Sequence, residues 1–217
     1  FIIPSITMSK LFKLTMLQAI DELGKLDTDI KRAIADYGYP SDRMMPPTFE
    51  TIARIIIGQQ ISRQVAEALW KRLEEKQLTS AQHIHKLGPD ILMEVGLSRR
   101  KSEYIIGIAQ AITDASLDLN WLGQQDGETV QQHLTSYRGV GIWTADNFRL
   151  FALQDFDAWP GGDLALQEAM KTLKVLPARP TNAEMSYLSQ TWSPYRGAGA
   201  LMLWHLYAKT RRNGQPV

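Results

Sequence analysis

The chain has 217 residues, of which 44% are hydrophobic and 22% are charged, the balance of an ordinary globular protein with a substantial core. It contains no cysteine, which excludes disulfides, thiolate metal sites, cysteine nucleophiles and cysteine-ligated iron–sulfur clusters. The 24 basic and 23 acidic residues give a net charge of +1, which favours a local basic face over a histone-like wrap of nucleic acid.

Neither a membrane segment nor a leader is expected. No stretch approaches the ~18 consecutive apolar residues that predict a transmembrane helix. The first seven residues, Phe1–Thr7, are apolar but lack the basic start and the cleavage site of a signal peptide, and Met8 is a candidate native start. The histidines show no metal-ligand spacing, so no catalytic metal is expected either.

The first third of the chain shows helical patterns. Asp27 precedes apolar residues at helical spacing, and Gly38 ends that stretch. Thr48 is expected to cap a helix over residues 49–57, and Ser62 is expected to cap the helix that follows.

The rest of the chain also predicts helices. Residues 79–82 and 181–184 both have the spacing of a capping box, in which two side chains reciprocally satisfy free amides. Ser98 is expected to cap a helix over residues 99–115, and Ser193-Pro194 to open the last long helix. Because no segment alternates polar and apolar residues, the sequence predicts an all-α protein of roughly nine to eleven helices.

A tight turn, Gly139-Val140-Gly141, separates a helical stretch over residues 128–137 from a second helix that begins at once. The two glycines allow positive φ and a close approach of another molecule. The first amides of the second helix, around Val140–Trp143, point outward with partial positive charge, which suits a phosphate. Gly-x-Gly between helices is nevertheless common, so this short motif alone does not establish DNA binding.

A single carboxylate, Asp163, closes the loop Trp159-Pro160-Gly161-Gly162 just before a helix that opens at Leu164. An aspartate at this place is typical of an N-cap. The same carboxylate could stabilise positive charge that develops in a transition state, and the two roles are compatible.

The longer string from Arg138 to Asp146, with the loop Trp159–Asp163 that follows it, resembles the helix-hairpin-helix DNA glycosylase superfamily, and within it the 3-methyladenine DNA glycosylase II family. Residues 57–62 and 96–101 are similar to further segments of that family, and the resemblance extends from about residue 48 to residue 208. It implies a two-lobed all-α fold with a helix-hairpin-helix motif and a cleft between the lobes.

The resemblance also implies how the chain is divided. Residues 1–217 would form one glycosylase unit. Its central lobe would cover residues 48–153 and end in the hairpin, and residues 9–47 with 154–212 would form the second lobe.

The resemblance implies that Asp163 is the catalytic acid, because cleavage of an N-glycosidic bond builds positive charge on the sugar. An alkylated purine is itself cationic, and aromatic faces attract cations. The residues implied to line the base pocket are Trp143, Trp159, Trp192 and Tyr195. Each of these aromatic residues also suits a hydrophobic core, as expected for Trp204.

The hairpin, the segment 57–62 and the last helix are implied to contact DNA. The implied residues are Gly139, Val140, Gly141, Ile142, Thr144, Gln59, Gln60, Ser62 and Arg196. Gln60 is the candidate plug for the gap left by a flipped nucleotide, whereas Gln59 and Ser62 equally suit the closure of helix ends. Turn carbonyls around Arg138 and Val140 are implied to hold a monovalent cation.

Other basic residues near these motifs are candidates for contact with DNA, namely Arg138, Arg149 and the run Arg99–Lys101. The run faces either DNA or solvent.

In bifunctional relatives a lysine nucleophile stands at the position that Trp143 occupies here. The resemblance therefore implies a monofunctional enzyme that hydrolyses alkylated purines such as 3-methyladenine, 7-methylguanine and ethenoadenine by base flipping. The resemblance also implies that it needs no cofactor, binds double-stranded DNA as a monomer, and works in the cytoplasm or nucleoid of a bacterium or in the nucleus of a eukaryote. The alternative is a non-catalytic helix-hairpin-helix protein that binds DNA or senses lesions.

Overall fold

The computed structural model describes residues 14–212, and within that range the chain contains α-helices, one short 3-10 helix and no strand. The α-helices, in chain order, are α1 (Met16–Leu26), α2 (Thr28–Tyr37), α3 (Phe49–Gly58), α4 (Arg63–Glu75), α5 (Ala81–Ile84), α6 (Pro89–Met93), α7 (Arg99–Thr113), α8 (Leu119–Leu122), α9 (Gly127–Thr135), α10 (Ile142–Leu153), α11 (Leu164–Leu173), α12 (Asn182–Leu188) and α13 (Arg196–Arg212). The 3-10 helix (Gln190–Trp192) lies between α12 and α13. The predicted all-α class is confirmed, and the segment Phe1–Thr7 lies outside the described residues.

The helices fall into two compact units. The central unit, Arg43–Pro160, contains α3 to α10, and the terminal unit, residues 14–42 with 161–212, contains α1, α2, α11, α12 and α13. The sequence analysis had placed the corresponding boundaries at residues 47/48 and 153/154.

Each unit has its own core. In the central unit α3 packs against α4, α7 and α10, and its Ile52, Ile56 and Ile57 are fully buried. In the terminal unit α13 packs against α1, α2 and α11 and buries Leu201 and Met202. Each such side chain contributes about 1.5–3 kcal/mol by leaving water, before the entropy of the chain is counted.

Several helix starts are where local capping chemistry predicts them. The Asp27 carboxylate accepts the amides of residues 29 and 30 at the start of α2, and Gly38 ends α2 with φ 72°. The Ser62 and Ser98 hydroxyls cap α4 and α7. Thr181 and the residue three positions later form the predicted capping box of α12.

Other local predictions are wrong. Thr48 lies at the N-cap of α3, but its hydroxyl makes no capping bond. The capping box predicted between Thr79 and Gln82 does not form, because the N-cap of α5 is Ser80 instead. The Ser80 hydroxyl makes no capping bond and donates to the Gln82 side chain. Helix α7 ends at Thr113, since Ala115 is left-handed at φ 62°, and α13 begins two residues after Pro194.

The helix count also exceeds the prediction of nine to eleven. The additional elements are α5, α6 and α8, of four or five residues each, which are too short to show a helical period. None of the described helices is long and apolar enough to cross a membrane.

Candidate active site

The hairpin joins α9 to α10 in the central unit, and its two glycines have different roles. Gly139 has φ +89°, and a Cβ placed there would lie 2.1 Å from Cγ of Tyr104 on α7. Gly141 has φ −91°, which any residue adopts, and a Cβ there would meet nothing within 4 Å. The expectation of positive φ is therefore confirmed for Gly139 and wrong for Gly141. Gly141 instead leaves open space at the start of α10.

The start of α10 suits an anion. Gly141 occupies the N-cap position and has no side chain to cap the amides of the first turn. The next residue, Ile142, is 64% exposed. Val140 is only 4% exposed, and its amide donates to the Tyr137 carbonyl at 3.1 Å. Thr144 is 2% exposed and its hydroxyl accepts a bond within the protein, so its implied contact with DNA is wrong for the side chain.

Helix α7 supports the hairpin from below. The Arg138 guanidinium lies 3.3 Å from the Glu103 carboxylate and 5.7 Å from the centre of the Tyr104 ring. Together with the close fit of Gly139 over that ring, these contacts fix the turn against α7. Nothing in the local sequence pattern predicts that Glu103 and Tyr104 support the hairpin.

A buried ion pair holds α10 in place behind the hairpin. The Arg149 guanidinium is 2.7 Å from both the Asp146 and the Asp155 carboxylates, and Gln131 on α9 donates to Asp146. Burial raises the pKa of Asp146, against the opposing effects of the Gln131 and Arg149 contacts. Arg149 is therefore a structural residue, and the suggestion from the sequence that its guanidinium faces DNA is wrong.

The segment after α3 contains the candidate plug. Gln60 is exposed and left-handed, with φ +58°. Its neighbour Gln59 points back into the unit, where Nε2 donates to the Gly139 carbonyl and to the Thr144 hydroxyl, both at 2.9 Å. Ser62 caps α4. The side chains of Gln59 and Ser62 thus bond within the protein, whereas Gln60 is exposed.

Lys101 is not a solvated cation of the run Arg99–Lys101. Its ammonium donates to the carbonyl oxygens of Ile57 and Gln59, each at 2.7 Å. Burial lowers the pKa of Lys101. Lys101 therefore closes the end of α3, while Arg99 pairs with Asp90.

Asp163 occupies the N-cap position of α11 in the terminal unit, and three N–H groups converge on its Oδ1 atom. The donors are the backbone amides of Ala165 at 2.9 Å and Leu166 at 3.1 Å and the indole Nε1 of Trp204 at 3.2 Å. The carboxylate is thus the N-cap of α11 and is also oriented from α13. Trp204, which the sequence analysis assigned to the core, is part of this site.

A second residue missed by the sequence analysis holds the loop before the acid. Gln167 on α11 is buried, and its Nε2 donates to the Gly161 carbonyl at 3.3 Å and to Asn182 Oδ1 at 2.7 Å. This arrangement ties Gly161 to the helix that Asp163 caps. A glutamine within an amphipathic helix gives no signal of such a role.

The implied base-pocket role of Trp192 is wrong in this structure. Trp192 is fully buried, its Nε1 donates to the Asp27 carboxylate at 2.6 Å, and a Cβ at Gly199 would lie 2.4 Å from its ring. Lys174 reaches the same Asp27 oxygen at 2.6 Å and Asp29 at 2.9 Å. Trp192 is therefore a core residue. Trp143, Trp159 and Tyr195 are partly exposed.

This buried cluster shifts two pKa values. Burial acts to raise the pKa of Asp27, but the bonds from Lys174 and Trp192 outweigh it, and the net effect is a lowered pKa. Burial acts to lower the pKa of Lys174, but its two carboxylate partners outweigh it, and the net effect is a raised pKa. Among the described residues, no group of three or more histidines and carboxylates could hold a metal ion.

Comparison with known proteins identifies the class. Residues 53–194 match the family model of the HhH-GPD superfamily base excision DNA repair proteins, and the chain belongs to this superfamily. The resemblance seen in the hairpin and the aspartate loop is thereby confirmed.

The individual relatives are more specific. The chain is 27% identical over 175 residues to a DNA-3-methyladenine glycosylase of Bacillus subtilis, covering 75% of this chain and 58% of that protein. It superimposes on Schizosaccharomyces pombe 3-methyladenine DNA glycosylase in complex with abasic DNA with a TM-score of 0.76 and 26% identity, covering 89% of this chain and 96% of that one. It superimposes on a 3-methyladenine DNA glycosylase from Archaeoglobus fulgidus with a TM-score of 0.75 and 27% identity. The superposition covers 89% of this chain and 71% of that one.

Proposed function

We propose that this protein is a monofunctional DNA glycosylase that hydrolyses the N-glycosidic bond of alkylated purines, such as 3-methyladenine and 7-methylguanine, in duplex DNA. The observation that carries the proposal is the Asp163 carboxylate, which three N–H groups orient at the start of α11. The similarity to 3-methyladenine glycosylases supports the same substrate class.

The acid would act on the sugar. As the bond from C1′ to the base breaks, positive charge builds on the sugar ring, and an anion beside it lowers the barrier. The same carboxylate can orient or deprotonate the water that attacks C1′. Donors from α11 and α13 hold Asp163 before the substrate arrives, so no reorganisation is needed during the reaction.

The base would be recognised by aromatic side chains. A purine alkylated at N3 or N7 carries a positive charge, which an electron-rich ring attracts by about 0.5–2 kcal/mol. Trp143 and Trp159 in the central unit, and separately Tyr195 in the terminal unit, remain candidates to contact the base, since each is partly exposed. The lesion would be extruded from the duplex before it enters the pocket.

The hairpin would hold the DNA backbone. A phosphate fits the uncapped amides at the start of α10, and the open space in front of Gly141 allows it to approach. The Gly139 carbonyl is engaged by Gln59, so a monovalent cation at this turn would bind the carbonyls of Arg138 and Val140. Such a cation would add positive charge beside the phosphate.

The absence of an amine at position 143 supports a monofunctional reaction. A lyase step needs a nucleophilic amine to form a Schiff base with C1′. Trp143 stands where bifunctional members of the superfamily carry that lysine. The product is then an abasic site in an uncut strand.

The proposal is tested by incubating the protein with methylated duplex DNA and separating the released bases by chromatography. We expect free methylpurines from the wild type, and a fall of at least about a hundredfold for Asp163→Asn. Asparagine keeps an oxygen that can cap α11, so the variant removes charge with little change in fold. Asp157→Asn, in the same connecting segment, is the matched control and should retain activity.

Two results would contradict parts of the proposal. Release that survives Asp163→Asn would show that another group is the acid. Tight DNA binding without any release by the wild type would favour the non-catalytic DNA-binding alternative. Borohydride treatment during turnover should trap no covalent complex, and a trapped complex would overturn the monofunctional assignment.

A further inference from the structure

We infer that Lys101 is a positioning residue for base flipping, which fixes the exposed Gln60 to the phosphate-binding hairpin through Gln59. This inference rests on the proposed function, because it assumes that Gln60 fills the gap left by a flipped nucleotide. It concerns a cation that the hairpin motif does not include and that lies on a different helix, α7.

The first contact of this arrangement closes α3. The last carbonyls of a helix lack partners within the helix, and they carry partial negative charge. The Lys101 ammonium donates to two carbonyls at this end, those of Ile57 and Gln59, at 2.7 Å each. These residues stand three positions and one position before Gln60, whose left-handed backbone needs such support.

The second contact reaches the hairpin. Gln59 Nε2 donates at 2.9 Å to the Gly139 carbonyl in the turn and at 2.9 Å to the Thr144 hydroxyl in the first turn of α10. The backbone of Gln59 is therefore held by Lys101 while its side chain is held by the hairpin. Hydrogen bonds within one unit therefore connect the hairpin to Gln59, the residue beside Gln60.

This arrangement has an energetic consequence. Flipping a base requires unstacking and unpairing, which a side chain inserted into the gap helps to offset. A flexible Gln60 loop would have to be ordered during flipping, whereas a loop already fixed by Lys101 and Gln59 is not. The benefit is largest for a lesion that is stably paired, since it costs the most to extrude.

Fluorescence tests whether Gln60 inserts into the gap, and the assay requires no cleavage of a glycosidic bond. The probe is a duplex that carries 2-aminopurine opposite a tetrahydrofuran abasic analogue, and binding of the wild type should change the fluorescence as the gap is filled. Gln60→Gly, which suits a left-handed backbone, defines the signal without a plug. We expect Lys101→Met and Gln59→Met to lose the change as Gln60→Gly does.

Three controls separate positioning from a direct phosphate contact and from misfolding. A lost phosphate contact lowers the slope of log affinity against log salt by about 1, so Lys101→Met should leave that slope unchanged. Arg100→Met removes the neighbouring exposed charge on α7 and should keep the full fluorescence change. Lys101→Arg retains donors for both carbonyls and should restore the signal.

Excision rates provide a second readout. We expect Lys101→Met to slow single-turnover release of 7-methylguanine opposite cytosine by about tenfold, and opposite a mismatched thymine by less than about twofold, since a mismatched base is easier to flip. Equal slowing on both duplexes, or a lower salt slope, would overturn the inference. Release of methylpurines by a wild type that gives no fluorescence change would also overturn it while leaving the proposed function intact.

Discussion

The hairpin of the central unit, which we propose binds a phosphate, and the Asp163 carboxylate of the terminal unit, the proposed acid, are built in different ways. The hairpin presents backbone amides, and its geometry depends on the fit of Gly139 over the Tyr104 ring. The acid is a side chain, and its orientation depends on N–H donors from α11 and from Trp204 on α13. A site made of backbone is therefore most sensitive to an added Cβ, and a site made of side chains is most sensitive to a lost donor.

The contacts that stabilise the two regions also differ. In the central unit, Arg149 and Gln59 bond to residues on or beside the hairpin. In the terminal unit, the partly buried Lys174 joins the end of α11 to the carboxylates of Asp27 and Asp29, more than a hundred residues earlier in the chain. The terminal unit thus depends on contacts that bring its two separated segments together.

The largest effect is expected from Gly139→Ala. The added Cβ would combine a left-handed backbone with an overlap of the Tyr104 ring, so the turn must rearrange. We expect the affinity for undamaged duplex DNA to fall on the order of a hundredfold because the amides of α10 lose their alignment. Fluorescence anisotropy at fixed salt measures the loss.

Gly141→Ala is the matched control for Gly139→Ala, since it adds the same methyl group two residues away. Its backbone is not left-handed and the space around it is open, so the fold should be unchanged. The methyl group meets only an approaching phosphate, and we expect a loss of about threefold to tenfold. If Gly141→Ala were the more damaging of the two, the fit over Tyr104 would not be what fixes the hairpin.

In the terminal unit, Lys174→Met is expected to lower the free energy of unfolding by about 2 kcal/mol, because it leaves the partly buried Asp27 carboxylate without its cation. The Lys174 and Asp27 side chains are only 18% and 10% exposed, so solvent screens the pair little. Urea denaturation at neutral pH measures the change. Lys209→Met removes an exposed charge from α13 and should leave the unfolding midpoint unchanged.

The pH dependence of that loss follows from the two pKa shifts. The folded pKa of Asp27 is lowered, so its contribution is present above the unfolded value of about 3.9 and disappears as the pH falls through the folded value. The folded pKa of Lys174 is raised, so its contribution is present below the unfolded value of about 10.4 and disappears as the pH rises through the folded value. The gap between wild type and Lys174→Met should therefore be widest between these limits, and a gap independent of pH would contradict the ion pair.

Local features of both regions could be predicted from the sequence. The left-handed turn at Gly139 and the caps at Ser62, Ser98 and Asp163 all follow from chemistry within a few residues along the chain. The catalytic role of Asp163 is implied by the family resemblance and stays a prediction. Thr48 shows the limit of this reasoning, because a residue at the N-cap position need not make the bond.

Partners that are distant in sequence could not be predicted. Trp204 reaches Asp163 across 41 residues, and Gln59 reaches Gly139 across 80. No local pattern encodes these pairs, because they arise when helices pack. Trp192 was misassigned for the same reason, since the sequence pattern around an aromatic residue is the same whether its side chain fills a core or lines a pocket.

A further variant tests the contact between Trp204 and Asp163, which the sequence did not predict. Trp204→Phe keeps an aromatic ring on α13 but removes the N–H that lies 3.2 Å from Asp163 Oδ1. We expect single-turnover release of methylpurines to slow by about tenfold, since a hydrogen bond to a charged group contributes about 1.5–3 kcal/mol and two amide donors remain. DNA affinity should not change, because the hairpin is untouched.

The central unit provides a matched control for this last variant. Trp70 also donates its indole N–H to a carboxylate, that of Glu74 at 2.6 Å, within α4. Trp70→Phe therefore loses the same kind of bond and should lower the unfolding midpoint without slowing excision. Equal slowing by both variants would mean that excision responds to general stability. Slowing by Trp204→Phe alone would establish that the donor from α13 acts through the orientation of Asp163.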